Sequence, residues 1–116
     1  MFDYHMHSRV SFDGHDTGLD LAKAALAAGL KIRRGMEFGM DLHNLAQFKQ
    51  DLTRRHFDFV LGSIHFVDDL DVYFEPFWSG KTVFLAERRC LEATLDCVRL
   101  HDDFDVLAHL TYIGKT

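Results

Sequence analysis

The segment FDFVLGSIHF, residues 57–66, constrains the fold of this chain more than any other stretch. Its apolar residues run on without the alternation of a half-exposed strand, which is typical of a strand buried on both faces. Such strands occur in parallel sheets that helices cover on either side. The segment therefore predicts an α/β fold built around a parallel sheet.

Strand and helix patterns alternate along the rest of the chain. Besides residues 57–66, strands are predicted at residues 2–7, at residues 36–40 together with Ile32, and at residues 104–109. Glu37 is predicted near the far end of the second of these strands, and residues 67–81 are predicted to be irregular. The order strand, helix, strand, helix, strand, helix, strand is the signature of an α/β chain with a parallel sheet.

Each of the three predicted helices starts at a capping residue. The first follows Thr17, which forms a capping-box pattern with Asp20, and ends near Gly29. The second follows Asn44 and the third follows Thr82. Apolar residues at helical spacing mark one face of each helix, and in the third helix they predict an inward stripe. In the order of the three helices, these residues are Leu19, Ala22, Leu26 and Leu30; Leu45, Phe48 and Leu52; and Phe84, Leu91, Leu95 and Val98.

Length and charge exclude several classes of protein. The 116 residues, of which 47% are hydrophobic, fit one globular domain with a single core. The formal net charge of −5 argues against a nucleic-acid-binding surface. No apolar run approaches the roughly 18 residues that a membrane helix needs, and the signal-peptide pattern is missing. We therefore expect a cytoplasmic protein that binds neither nucleic acid nor membrane.

The two cysteines are predicted to be reduced. Cys90 and Cys97 lie seven residues apart in the third predicted helix, two turns apart on one face. That separation is too long for an easy disulfide and does not match a zinc knuckle. Both side chains are therefore interpreted as core thiols.

Residues of the types that bind metals lie at or near the ends of all four predicted strands. They are His5 and His7, Glu37, His65 and His109. His5 and His7 are two apart, so in an extended segment they leave the same face. Parallel strands bring their carboxyl ends to one edge, where functional groups gather. Several imidazoles with a carboxylate therefore predict a multinuclear, hydrolytic transition-metal site.

Structural roles are the alternative for each of these residues taken singly. One strand-terminal histidine is more often structural than a ligand, and His65 could be a buried imidazole that the backbone satisfies. The repetition at four strand ends favours the metal site. The remaining histidines fall in predicted loops or helix ends, and surface positions are expected for them: His15, His43, His56 and His101.

Four segments resemble the polymerase and histidinol phosphatase (PHP) superfamily, specifically its monofunctional histidinol-phosphatase branch. They are DYHMHSRVSFDG, GMEFGM, FDFVLGSIHF and FDVLAHLTYI, and the intervening YFEPFWSGKT resembles the same branch. A His-x-His alone is a weak signal. It becomes specific in this order with a Gly-x-Glu, a Gly-Ser-x-His and a strand-final His-Leu.

The resemblance implies a distorted, TIM-like (β/α)7 barrel whose trinuclear metal centre hydrolyses L-histidinol phosphate to L-histidinol and phosphate in histidine biosynthesis. It implies His5 and His7 as the first ligand pair, Glu37 as a bridging carboxylate, and His65 with His109 as ligands of the second ion. Two or three ions of zinc, iron or manganese would be bound. The implied nucleophile is a metal-bound hydroxide rather than a protein side chain. Three cations are candidates for binding phosphate: Arg9, Lys81 and Lys115.

The chain departs from the family pattern in three places. The family has a strand with a Thr-Asp-His motif after the first helix, whereas AGLK here runs straight into IRRGMEFGM. The family continues beyond HLTYIGKT to a late Asp-x-His, and Thr111 stands where many members have Asp. Residues 1–116 are thus expected to form a partial PHP domain of about four parallel strands and three main helices. Its junction is expected near Lys31 and Ile32, and the parent protein is expected to be the active phosphatase.

Two other functions stay open at this point. The chain could belong to another PHP phosphoesterase, acting on nucleotides or DNA ends, although its acidic balance disfavours a DNA-facing member. It could also be a non-catalytic metal-binding fragment, which the loss of the Thr-Asp-His segment favours.

Overall fold

The computed structural model describes residues 3–8 and 14–110, which form two compact units. The first unit ends at Gly35 and the second begins at Met36. The expected single partial domain with a junction near Lys31 and Ile32 stays a prediction. Within the described ranges, no helix combines the length and the apolar character that crossing a membrane requires.

The first unit contains helix α1, Gly18–Ala27, which starts where the capping pattern predicts. The Thr17 hydroxyl oxygen accepts a hydrogen bond from the Asp20 amide at 3.0 Å. Gly29 has a φ of +75°, the left-handed conformation that ends many helices. The strand predicted at residues 2–7 is wrong over its described part, because residues 3–8 lie outside any strand. There the His5 amide bonds to the Asp3 carboxylate at 3.0 Å, a local turn that competes with strand pairing.

The second unit is built on a three-stranded sheet. Its strands are β1, Gly35–Gly39, β2, Phe59–Ser63, and β5, Val106–Leu107, in the spatial order β1-β2-β5. Strands β2 and β5 run parallel, with Leu61 opposite Val106 and Gly62 opposite Leu107. The α/β class predicted from the alternating pattern is confirmed, and the closed barrel stays a prediction. Glu37 is the central residue of β1 rather than a residue near its end.

Helix α2, Leu45–Arg54, buries Leu45 and Phe48 on the face that the sequence predicts. Asn44 precedes the helix, yet its side chain makes no capping bond. Its amide nitrogen Nδ2 instead donates to the Gly39 carbonyl at 2.7 Å, and its Oδ1 accepts from the Asp41 amide at 2.9 Å. The asparagine therefore fixes the connection from β1 to α2.

Helix α4, Val83–Leu100, starts after Thr82 as predicted but turns the other face inward. Phe84 is 68% exposed, Leu91 52% and Leu95 46%, so the predicted inward stripe is wrong at these residues, whereas Val98 is half-buried. The buried residues are smaller: Ala86, Cys90, Thr94 and Cys97. Both faces have helical spacing, and the small side chains allow close packing against the core. The prediction of two reduced, buried cysteines is confirmed.

The segment at residues 67–81, which was predicted to be irregular, contains regular structure. Strands β3, Phe66–Val67, and β4, Leu70–Asp71, form an antiparallel hairpin, and Glu75–Trp78 forms a short helix, α3. The hairpin packs on a core of Val67, Val72, Phe77, Ala86 and Cys90. The prediction failed because two-residue strands are too short to show a period.

His101 is buried, whereas the sequence predicts a surface position. Only 2% of the residue is exposed, and its ring lies between Phe48, at a centroid distance of 4.4 Å, and Phe104, at 6.2 Å. Among the described residues, neither ring nitrogen has a hydrogen-bond partner, and Nδ1 lies 4.0 Å from an Asp103 carboxylate oxygen. The surface positions of His15, His43 and His56 are confirmed.

Candidate metal centre

Three of the five predicted ligands converge in the second unit. Glu37 comes from β1, His65 lies two residues after β2, and His109 lies two residues after β5. The Glu37 Oε1 atom is 3.2 Å from His65 Nε2 and 2.8 Å from His109 Nε2. One carboxylate oxygen therefore lies within hydrogen-bond distance of both imidazoles.

The sheet explains this convergence. Parallel neighbours such as β2 and β5 end at the same edge, so the residues that follow them leave in the same direction. Two hydrogen bonds fix the two exits: the Met40 amide donates to the Ser63 carbonyl at 2.7 Å, and the Ala108 amide donates to the Gly62 carbonyl at 2.8 Å. The imidazoles of His65 and His109 then meet edge to face, with a centroid distance of 5.2 Å.

The Gly-Ser-x-His motif also has a packing function. A side chain on Gly62 would place its Cβ atom 2.8 Å from the Phe104 ring and 3.0 Å from the Met40 methyl group. Such contacts are too short, so only glycine lets these residues pack against β2. Ser63 is fully buried directly before the turn to His65. The motif thus couples the core to the position of the candidate ligand.

The three side chains are partly shielded from solvent. Their side-chain exposures are 21% for Glu37, 29% for His65 and 20% for His109. A cavity beside His109 is lined in part by Cys90 and Thr94. Burial raises the pKa of the Cys90 thiol to about 11, so it is protonated at neutral pH. A protonated thiol is a poor metal ligand and a poor nucleophile, which leaves the imidazoles and the carboxylate as donors.

The donor set fits a divalent transition metal. Glu37, His65 and His109 can each offer one ligand atom, and these atoms all lie within 4.8 Å of one another. Two imidazole nitrogens and one carboxylate oxygen are common zinc donors, and ligands about 2.0–2.1 Å from a tetrahedral ion lie about 3.3 Å apart. The separation of 3.2 Å between Glu37 and His65 is close to that spacing, whereas the 2.8 Å between Glu37 and His109 is the length of a direct hydrogen bond.

Comparison with known proteins identifies relatives. The chain is 30% identical to a histidinol-phosphatase of Lactococcus lactis over 119 aligned residues, which cover 94% of this chain and 44% of the relative. It is 33% identical to a "Probable histidinol-phosphatase" of Clostridium acetobutylicum, covering 73% of this chain and 33% of the relative. The predicted resemblance to the histidinol-phosphatases is confirmed. No protein-family model matches the chain.

A solved structure of a histidinol-phosphatase shares the fold. It is the histidinol phosphate phosphatase from Lactococcus lactis, complexed with zinc, L-histidinol and phosphate. The TM-score is 0.73 at 32% sequence identity, and the match covers 83% of this chain and 37% of that one. The chain therefore spans less than half the length of the histidinol-phosphatases that it matches.

His5 and His7 form a pair of their own in the first unit. Both side chains are exposed, their rings are stacked with a centroid distance of 5.1 Å, and their Nε2 atoms are 3.2 Å apart. Two nitrogens at that distance could ligate one ion. Their place in a centre shared with the other ligands, as the histidinol-phosphatase resemblance implies, stays a prediction.

Only one of the three candidate phosphate-binding cations falls within the described residues. Arg9 and Lys115 lie outside them, as does Thr111. The Lys81 ammonium donates to the Phe77 carbonyl at 2.5 Å and lies 4.8 Å from the Phe77 ring centroid. These contacts stabilise the end of α3, and a role of Lys81 in binding phosphate stays a prediction.

An ion pair close in sequence to His65 is not predicted from the sequence. Arg89 of α4 binds Asp68 in the turn between β3 and β4, and this hairpin directly follows His65. The Asp68-Asp69 pair is a weak signal for this hairpin, because two-residue hairpin turns usually carry asparagine or aspartate followed by glycine.

Proposed function

We propose that this protein is a metal-dependent phosphatase that hydrolyses L-histidinol phosphate to L-histidinol and phosphate, a step of L-histidine biosynthesis. The observation that carries the proposal is the convergence of Glu37, His65 and His109 on one point. It occurs in a chain whose solved relative was crystallised with zinc, L-histidinol and phosphate.

Glu37, His65 and His109 are the proposed holders of one ion, and His5 with His7 is a further proposed ligand pair. Zinc is the first choice of metal because the solved relative was complexed with it, although iron and manganese suit the same donors. A bound divalent ion would supply positive charge for the phosphoryl oxygens and acidity for a water molecule.

The side chains of the chain have defined tasks in this proposal. The Glu37 carboxylate places a negative charge between the two imidazole donors, which strengthens the attraction of the centre for a cation. The imidazoles of His65 and His109 are held in place by the strand exits rather than by flexible loops. All three are partly exposed, which gives a small phosphomonoester access to them. With Cys90 protonated, this thiol supplies no nucleophile at neutral pH.

The direct test is phosphate release by the purified, zinc-loaded protein. L-Histidinol phosphate should be hydrolysed in preference to nucleoside monophosphates and sugar phosphates. The variant His65→Ala should lose about 100-fold or more in kcat/KM, because a ligand is removed. His56→Ala, which removes an 86% exposed imidazole before the start of β2, is the matched control and should retain activity.

Two results would overturn the proposal. Equal rates across the substrate panel would reject histidinol phosphate as the specific substrate in favour of a general phosphoesterase. Unchanged activity in His65→Ala would reject the proposed centre.

A further inference from the structure

The hairpin of β3 and β4 begins directly after His65 and is too short to be stable by itself. Each strand has two residues, with Phe66 paired to Asp71 and Val67 paired to Leu70. Isolated hairpins, even longer ones, are marginally stable in water. Contacts from outside the hairpin must therefore hold it in place.

The turn of this hairpin needs particular support. Asp68 and Asp69 have φ angles of 53° and 62°, in the left-handed region that favours glycine. A two-residue turn of this kind usually carries asparagine or aspartate followed by glycine. Aspartate tolerates the conformation better than most residues, but two in succession are unfavourable without a compensating contact.

Arg89 supplies that contact from α4. Its Nε atom donates to Asp68 Oδ2 at 2.9 Å, and its Nη2 atom donates to Asp68 Oδ1 at 2.6 Å. This two-point geometry is the form in which a guanidinium binds a carboxylate most specifically. The hydrogen bonds from Arg89 lower the pKa of Asp68, so the carboxylate stays charged over a wide pH range.

The other end of the hairpin is bonded to the backbone of His65. The Val72 amide donates to the His65 carbonyl at 3.0 Å, and Val72 is buried in the core beneath the hairpin. The Trp78 indole donates to the Val72 carbonyl at 3.1 Å. A displacement of the hairpin would therefore displace the backbone from which the His65 imidazole extends.

We propose that the ion pair of Arg89 and Asp68 positions His65 in the metal centre. The pair fixes the hairpin tip to α4, the hairpin fixes the His65 carbonyl through Val72, and the imidazole is thereby held 3.2 Å from Glu37. Arg89 is thus a positioning residue that acts through the hairpin. The inference rests on the proposed function for the role of His65 as a ligand.

Two readouts test this proposal without using activity. The first is the dissociation constant of Zn²⁺, measured by competition with a chromophoric chelator. The second is the hydrogen-exchange rate of the Val72 amide in metal-free protein, measured by NMR. Arg89→Ala should weaken zinc binding by about two- to fivefold, because the ion pair is partly exposed and acts on His65 only through the hairpin, and should accelerate Val72 exchange.

Further variants distinguish the effect of losing the ion pair from the effects of changing the turn conformation and of removing the positive charge of Arg89. Asp68→Asn keeps a residue that tolerates the left-handed conformation, so its weaker zinc binding would report loss of the ion pair alone. Arg89→Lys keeps the charge without the two-point geometry and should give an intermediate loss. Arg88→Ala is the matched control: it removes the neighbouring ion pair with Glu92, on the exposed face, and should change neither readout.

The result that overturns the proposal is a zinc dissociation constant that is the same in Arg89→Ala, Asp68→Asn and Arg88→Ala. Accelerated exchange throughout β1 and α2, to the same extent as at Val72, would also overturn it, since the effect would then be global. Failure of the proposed function is seen separately. If the protein does not hydrolyse histidinol phosphate but the variants change zinc binding as expected, the substrate is rejected and the positioning role of Arg89 is supported.

Discussion

A single carboxylate oxygen organises the candidate centre. Glu37 Oε1 is the atom that both His65 and His109 approach, at 3.2 and 2.8 Å. All three residue types are visible in the sequence, as is the placement of His65 and His109 after their strands, whereas Glu37 lies at the centre of β1 rather than near its end. Their convergence required only that the sheet be parallel, which the alternating pattern also predicts.

Histidine burial shows where residue-level prediction fails. His101 follows a helix and precedes Asp102 and Asp103, a context that is typical of the surface. Its ring is nevertheless buried against Phe104, three residues later, and against Phe48, which is distant in the sequence. Long-range packing of this kind leaves no local signal, so the sequence could not separate His101 from the exposed histidines.

The burial of His101 predicts a pH dependence of stability. Burial lowers its pKa below the usual value of 6.5, and Lys49 lowers it further, whereas Asp102 and Asp103 oppose the shift. Below pH 6.5 the unfolded chain therefore binds a proton that the folded chain does not. Above pH 6.5 the His101 imidazole is neutral in both the folded and the unfolded chain. As the pH falls from 6.5 towards the pKa of His101 in the folded chain, the free energy of unfolding therefore decreases. The slope is at most about 1.4 kcal/mol per pH unit.

Urea unfolding at pH 5 and pH 8 checks this expectation. His101→Leu should show a smaller loss of stability between the two pH values than the unmodified protein. His56→Leu, at an exposed position, serves as the control. Equal pH dependence in the unmodified protein and His101→Leu would contradict the prediction.

At the scale of elements, starts and ends were easier to predict than faces. Thr17 and Thr82 cap their helices through contacts three residues away, which the sequence shows directly. The inward face of α4 depends on what the helix packs against. Two stripes compete there, and the smaller one, with Ala86 and Cys90, meets the core.

The buried face of α4 gives a prediction in which the two stripes have opposite sensitivity. Ala86→Leu should lower the free energy of unfolding by about 1–3 kcal/mol, because a larger side chain overpacks a site with no exposed surface. Leu91→Gln, on the exposed stripe, should change it by no more than about 0.5 kcal/mol. Urea denaturation measures both changes. A larger loss of stability in Leu91→Gln than in Ala86→Leu would contradict this packing and support the inward face predicted from the sequence.

At the scale of the whole molecule, the chain corresponds to part of the length of its relatives. The chain spans 44% of one histidinol-phosphatase and 33% of another, and its sheet has three strands within the described residues. The order of those strands, β1-β2-β5, matches a parallel α/β arrangement, and the barrel that the resemblance implies is a prediction for the protein as a whole. The positions of His65 and His109 directly after β2 and β5 hold in either case, since they depend only on local strand order.

The central claim is that Glu37, His65 and His109 bind a metal ion together, and zinc affinity tests it most directly. Glu37→Gln keeps the size of the side chain and removes its charge, so the zinc dissociation constant should rise by about tenfold or more. His56→Ala, an exposed imidazole elsewhere in the unit, should leave it unchanged. We expect this difference in a chelator competition experiment. The same zinc affinity in the unmodified protein, Glu37→Gln and His56→Ala would contradict metal binding by the three residues together.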